Sequence, residues 1–373
     1  DHRLPVRSSQ IGTVVATLER AIADPSATED AGDAVARFVH ALAQDLAQHR
    51  GASVVAAGPG QPPEVHAAVQ RINAALGNAG QTVLYYPEPE RPSHVEDLRA
   101  LVEAMKAGEV KTLVILGGNP VLDAPADLGF AEALGQVPTS IHLSLYVDET
   151  SERATWHLPR AHYLESWGDA RGFDGTYTLL QPLIDPLLGG RSAIEVLAQI
   201  LDEGPTSGYE LVQQQFRAEF GEDGFDSRWQ TAVHQGLVAD SAWQPETPEL
   251  QAVESDGTAA AKAGGAQGLE IVFYPDNSVF DGRFANNGWL QEMPDPLTKL
   301  TWDNAALIAP ATAESLGVEH GKIARLSYAG REMEIPVCVL PGQAEGSVAV
   351  AVGYGRTAAG YVGGSETEGI APV

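Results

Sequence analysis

The chain has 373 residues, 44% of them hydrophobic, enough to bury the cores of two or three domains. Fifty acidic against 23 basic residues give a formal charge of -27 and a pI near 4.6. That argues against nucleic acid and anionic lipid as direct partners, because binding either needs basic side chains that release counterions from phosphates. The lone cysteine, Cys338, rules out a disulfide within the chain and a cluster held by about four thiolates.

Residues 11–23 and 33–49 read as helices, the second with Val35, Phe38, Val39, Leu42 and Leu46 on one face. "SVVAAG" (53–58) predicts a buried strand ending in the loop "GPGQPP". The next helix has Pro63 in its first turn and Gly77 past its end. "TVLYYP" (82–87) predicts a second strand. A helix comes next, with Ser93 as N-cap, Glu96 completing a capping box and Gly108 as its stop. "TLVILGG" predicts a third strand. Strand, helix, strand, helix, strand is the order of a parallel sheet with right-handed crossovers.

"SIHLSLYVD" predicts a further parallel strand, and a short apolar segment lies around "TWHLPRAHYLE". "GDARGFDG" reads as a tight, irregular surface loop. Residues 191–202 read as a helix with Ile194, Leu197, Ala198 and Leu201 on one face, and 208–236 as helix with a break at Gly221–Gly224. Residues 240–268 are small and polar and predict a linker. From Leu269 the period becomes strand-like, with a hairpin turning at Ala329–Gly330 and a short helix in "APATAESLGVEHGK". Cys338, in the alternating run "EIPVCVLP", reads as a buried strand residue with no reactive role. No run reaches the roughly 18 to 20 apolar residues of a membrane span. The start "DHRLPVRSSQ" has neither a methionine nor a signal-peptide pattern, and predicts a piece of something longer.

Three stretches carry candidate chemistry. The loop Gly117, Gly118, Asn119, Pro120 comes after a predicted strand, where glycines let the backbone approach a ligand and free N–H groups cradle a phosphate. No lysine comes after it, so it is not a P-loop; a plain strand-to-helix turn is the alternative. Asp148–Asp169 contains His157, His162, Glu149, Glu152 and Glu165, but the spacing is not that of a metal-binding helix and Pro159 interrupts it, so the histidines are expected to hydrogen-bond structurally. Arg356, in "GYGRTAAG", could face a phosphate or carboxylate, with a salt bridge to one of the many acids as the favoured reading.

In combination, "LGGNP", "DET", "LPRAHYLE", "WGD" and "GFDGTYTLLQP" resemble the motif order of the molybdopterin oxidoreductase superfamily. The stretch from "NAALIAP" to "GYG" resembles that superfamily's terminal six-stranded barrel domain. "HYLESWGDAR", "QPLIDPLLGGRSAIEVL", "NNGWLQEMPDPLTKLTWDN" and "GYGRTAAG" more closely resemble the large iron–sulfur subunit of alternative complex III. The resemblance implies an α/β molybdopterin-enzyme-like domain, a parallel sheet with flanking helices, over 1–239, a linker over 240–268 and a small six-stranded β-barrel domain over 269–373.

It also implies a cofactor-free structural role in a membrane-bound quinol-oxidising respiratory complex, with no catalytic residue and no metal in this chain. Gly117, Gly118, Asn119, Pro120, Glu149 and Thr150 would be vestigial pterin-pocket positions. The iron–sulfur clusters would sit in a fused ferredoxin-like part that this sequence lacks. Partners would be quinol-oxidising membrane subunits and haem c subunits at the periplasmic face of the cytoplasmic membrane. The rival readings are a catalytic subunit that binds a molybdopterin dinucleotide, and a nucleotide-binding protein unrelated to respiration. Within "NNGWLQEMPDPLTKLTWDN", Pro294 and Pro296 predict an extended segment that presents Trp289 and Trp302 to a partner, or else packs them at a domain junction.

Overall fold

The computed structural model describes residues 2–24, 33–87, 94–202, 204–248 and 268–365. The chain divides into two compact units that interleave along the sequence: Asp1–Pro87, Pro245–Tyr274 and Asp295–Val352 form one, and Glu88–Gln244, Pro275–Pro294 and Gly353–Val373 the other. This division differs from one drawn at 239 and 269. Most of the expected linker, 249–267, lies outside the described residues.

The second unit holds a parallel sheet of β1 (Thr112–Leu116), β2 (Thr139–Ser144) and β3 (Trp156–Pro159), in that order. The run Leu113–Leu116 is the near-continuous apolar stretch that a strand in a parallel sheet needs. Helices His94–Lys106 and Phe130–Leu134 close over it, with Val102, Met105 and Leu134 buried against Leu113 and Ile115. Gly108 stops the first helix at φ 71°; the expected cap Ser93 lies outside the described residues.

Around the expected irregular loop the chain instead makes a hairpin of β4 (Gly168–Arg171) and β5 (Tyr177–Leu180), closed by the Gly172 N–H on the Thr176 carbonyl at 2.9 Å. Burial of Tyr177 against Phe216 and Trp229 on helices Gly208–Phe220 and Phe225–Gln235 holds it there. Ser192 caps helix Ala193–Leu201 in a capping box with Glu195. Its buried residues are Val196 and Ala198, whereas Leu197 and Leu201 of the expected inner face are exposed.

In the first unit, helices Ile11–Ala23, Ala34–Gln48 and Pro63–Ala75 bury Leu18, Ile22, Val39, Leu46 and Ile72 in one cluster. The two strands expected beside them do not form. Residues 53–58 carry no strand, and at 82–87 only Val83 and Tyr85 make isolated bridges. Side chains take the backbone groups that a ladder would use. The Asn73 amide accepts the Val55 N–H at 3.0 Å and donates to the Val55 carbonyl at 2.8 Å. Asn78 donates to Asn73 at 3.1 Å, and the Thr82 hydroxyl donates to the Ser53 carbonyl at 2.5 Å. The parallel sheet therefore starts at residue 112.

The same unit carries a mixed five-stranded sheet in the order β6 (Glu270–Pro275), β10 (Ser347–Val352), β7 (Ala306–Ile308), β9 (Arg331–Val339), β8 (Ile323–Tyr328). β8 and β9 form the expected hairpin, with Ala329 at φ 48° and Gly330 at φ 78° as a two-residue turn. Cys338 is buried on β9, and burial, with a smaller contribution from the nearby Asp295, raises its thiol pKa, consistent with an inert structural thiol.

The expected six-stranded barrel is not found: among the described residues the sheet has two edges and does not close. The chain leaves it at Gly353 (φ 107°), where a Cβ would lie 2.6 Å from the Phe280 carbonyl oxygen and 2.7 Å from the Gly282 nitrogen. Only glycine fits that exit. Beyond it the chain belongs to the second unit, and forms a small pair of β11 (Ala358–Gly360) and β12 (Gly364–Ser365).

Candidate functional site

β1 and β2 are adjacent and parallel, so the loops at their C-terminal ends leave the same edge of the sheet. That register brings Gly117–Pro120 to Asp148–Thr150 across some thirty residues of sequence. Gly117 (φ 84°) and Gly118 (φ 75°) turn the chain, and Pro120 opens the four-residue helix Pro120–Asp123. A Cβ at Gly117 would lie 2.5 Å from Nη1 of Arg160.

Asn119 ties the two loops together. Its amide donates to Glu149 Oε2 at 2.6 Å, and its carbonyl oxygen accepts the Thr150 N–H at 3.1 Å and the Thr150 hydroxyl at 2.7 Å. Thr150 in turn accepts the Val121 N–H at 3.0 Å. The six expected positions are thus brought together, but they face one another.

Glu149 is closed off further by Arg356, 207 residues away and equally buried. Arg356 Nε donates to Oε1 and Oε2 at 2.8 and 3.1 Å, and the Thr357 and Ala358 N–H groups donate to Oε1 at 2.7 and 3.0 Å. The remaining guanidinium nitrogens donate to the carbonyls of Gly282 at 2.6 Å and Ala358 at 2.9 Å.

Burial alone would raise the Glu149 pKa. The Arg356, Ala358 and Asn119 hydrogen bonds outweigh it and hold the group at about 2. A carboxylate offers about four lone-pair sites, and all are used. Glu149 therefore has no capacity left for an external donor, and it cannot take up a proton near neutrality.

Beneath this lies a buried relay. His142 donates from Nε2 to the Gly118 carbonyl at 3.1 Å and sets Nδ1 2.8 Å from the Ser151 hydroxyl, which donates to the Tyr146 carbonyl at 3.3 Å. Ser151 Oγ then accepts from His157 Nδ1 at 2.9 Å. Burial, reinforced by the neighbouring His142, lowers the His157 pKa. Asp148 takes the Thr150 and Ser151 N–H groups on Oδ1, at 3.1 and 2.9 Å, and the Ser144 hydroxyl on Oδ2 at 2.8 Å.

The residue types are those of a serine hydrolase, but the roles are not. Ser151 is buried, and the far nitrogen of His142 holds a backbone carbonyl instead of an acid. The network fixes the Gly117–Pro120 loop. Among the described residues no group of three or more His, Cys, Asp and Glu could hold a metal ion. His162 and Glu165, from the same stretch, instead hold backbone N–H groups of Leu164 and Leu187 at 3.3 and 3.2 Å.

No protein-family model matches the chain. No curated protein matches it either. Among solved structures it is similar to acetylene hydratase from Pelobacter acetylenicus, with a TM-score of 0.50 and 17% identity over 72% of this chain and 40% of that one. The chain thus spans 40% of the length of that protein. At this identity the likeness shows fold alone, and it is consistent with a molybdopterin-enzyme-like fold.

The residues present do not fit a pterin dinucleotide at Asn119 and Glu149, because the donors and acceptors that would hold it are spent on one another. A cleft of about 190 Å³ in the same unit lies elsewhere, lined by Arg160, Tyr163, Trp167, Asp169, Leu180 and Ile194 among others.

Sequence reasoning found the two loops, because glycine and Asn-Pro after an apolar run mark a strand end. It found Arg356 as an ion-pair former but not its partner. Ser151, His142 and Asp148 were missed as a network, since their pairing arises from the segment after β2 folding back onto His142, beside His157 of β3.

Proposed function

We propose that the chain is a cofactor-free structural domain of the iron–sulfur subunit of a membrane-bound quinol-oxidising respiratory complex, alternative complex III. The observation that carries the cofactor-free reading is Glu149. At the place where the superfamily resemblance puts a pterin pocket, this carboxylate acts as the resident anion, held by an arginine, two backbone N–H groups and an amide. The assignment to this complex rests on the sequence motifs alone. In this reading the domain supports electron transfer by holding the cluster-bearing part of the subunit against quinol-oxidising membrane subunits and haem c subunits, at the periplasmic face. Trp289, 87% exposed, is available as an anchor for such a partner.

The test is metal and pterin analysis of the intact complex purified through this chain, with identification of the co-purifying subunits. Haem c and membrane subunits with iron but no stoichiometric molybdenum or pterin are expected. Stoichiometric molybdenum with a pterin dinucleotide would instead make this a catalytic molybdopterin oxidoreductase subunit.

A further inference from the structure

The middle strand of the parallel sheet buries a histidine among groups that fix where its protons sit. His142 lies on β2, opposite Ile115 of β1 and His157 of β3, and is fully buried. Its Nε2 is 3.1 Å from the Gly118 carbonyl oxygen. A carbonyl can only accept, so Nε2 carries a proton.

The Ser151 hydroxyl settles the other nitrogen. A hydroxyl has one hydrogen and two lone pairs. This one has three partners: the Tyr146 carbonyl at 3.3 Å, His142 Nδ1 at 2.8 Å and His157 Nδ1 at 2.9 Å. The carbonyl takes the hydrogen. Each lone pair then faces a ring nitrogen, and both of those nitrogens must carry a proton. His142 is thereby protonated on both sides.

Asp148 supplies the counter-charge. Its oxygens accept the Thr150 and Ser151 N–H groups and the Ser144 hydroxyl, as an ionised carboxylate does. A carboxylate this buried calls for a cation. Oδ1 lies 3.4 Å from His142 Nδ1, and among the described residues no lysine or arginine pairs with Asp148. The other ionisable groups nearby are His157 and Glu149, and Glu149 is turned to Arg356. Burial, and after it the charge on His142, lower the His157 pKa, which keeps the single positive charge on the inner ring.

We propose that His142 is a buried imidazolium paired with Asp148, and that its proton works as a latch between the loop after β1 and the loop after β2. With two N–H groups His142 holds the Gly118 carbonyl and Ser151 at once. A ring with one proton keeps both only if the Ser151 hydroxyl turns away from the Tyr146 carbonyl, and Asp148 loses its cation in either case. The latch is closed while the proton is bound and opens as pH rises through its loss. It does not depend on whether the chain belongs to a respiratory complex.

Ring-nitrogen NMR of the full chain, with the His142 signals assigned by their loss in His142→Gln, tests it. At neutral pH both His142 nitrogens are expected to carry protons, and His157 to carry one on Nδ1 alone. The Val121 N–H, which bonds Thr150 Oγ1 across the two loops, reports the latch. When rising pH removes a proton from His142, exchange at Val121 is expected to speed up by roughly tenfold or more beyond the intrinsic base-catalysed rise, the worth of a hydrogen bond to a charged group. Asp148→Asn is expected to leave His142 with one proton at neutral pH and to give the same faster exchange at Val121. A wild-type His142 with a single proton at neutral pH overturns the proposal, and that result needs no variant to fold. A titration of His142 that leaves Val121 exchange unchanged, or both protons held until the whole chain unfolds, overturns the latch. A folded Asp148→Asn chain whose His142 keeps both protons overturns the pairing.

Discussion

The two units each bury a cluster of polar side chains where the sequence suggests simpler structure, and the two clusters are built from different chemistry. In the first, Asn73 and Asn78 are neutral amides that take over the hydrogen bonds of a strand that does not form. In the second, Glu149 and Arg356 are ionised and hold three distant segments, at Asn119, Gly282 and Thr357–Ala358. A neutral cluster costs only its hydrogen bonds when broken. A buried ion pair carries a large desolvation cost, and removing one partner leaves the other charge stranded. The first cluster should therefore behave as ordinary packing, and the second as a pH-sensitive clasp.

The largest expected effect is Arg356→Met. It strands Glu149 among apolar and backbone groups and should cost about 3–5 kcal/mol in urea unfolding. Glu149→Gln with Arg356→Met removes both charges and should recover much of that loss. A single Arg356→Met variant as stable as the wild type would mean that the pair is solvated and that the contrast between the clusters is false.

Acid separates the clusters next. The Glu149 pKa is depressed from its ordinary 4.5 to about 2 in the folded chain. The native state therefore binds fewer protons than the unfolded one between those values. The stability from this group is fully present above about pH 4.5 and is lost as pH falls toward about 2. By linkage it amounts to up to about 3 kcal/mol. His157 acts in the same direction at higher pH: its lowered pKa means stability present above its ordinary value is lost as pH falls through the folded one.

Asn73→Ala should instead cost about 1–3 kcal/mol at every pH, because it leaves the Val55 backbone groups unpaired without changing a charge. Parallel stability–pH curves for wild type and Asn73→Ala, with a flatter acid limb for Glu149→Gln, are the expected pattern. An Asn73→Ala deficit that grows with acid would merge the two clusters into one behaviour.

The features legible in the sequence were local. The Ala329–Gly330 hairpin, the Pro63 helix start, the Gly108 stop and the Gly117–Pro120 loop each depend on a few neighbouring residues. The features that stayed hidden were set by distant partners. "SVVAAG" has the composition of a strand, but the Asn73 amide makes the hydrogen bonds that the strand would need. The Ile194, Leu197, Leu201 stripe has the period of a buried helix face, but much of it stays uncovered in the unit. Nothing near Glu149 announces Arg356. Among the described residues the sheet stays open because its edge strands β6 and β8 do not pair, and the glycine exit at Gly353 is set by the close approach of Phe280 and Gly282, a tertiary fact.

The smallest expected effect calibrates the others. Trp289 is 87% exposed on the short helix Gly288–Glu292, contrary to the extended segment expected from Pro294 and Pro296. Asn287 caps that helix through the N–H groups of Trp289 and Leu290, at 3.1 and 3.3 Å, so its start does not depend on the indole. Alanine is also the best helix former. Trp289→Ala should therefore shift unfolding by no more than about 0.5 kcal/mol, against the roughly 3–5 kcal/mol of a buried tryptophan. A buried-type loss would show that a second surface covers the indole in the isolated chain, and Trp289 could not then serve as a free anchor for a partner. A negligible loss leaves the indole available for docking, and makes the penalties at Arg356 and Asn73 specific to the two polar clusters.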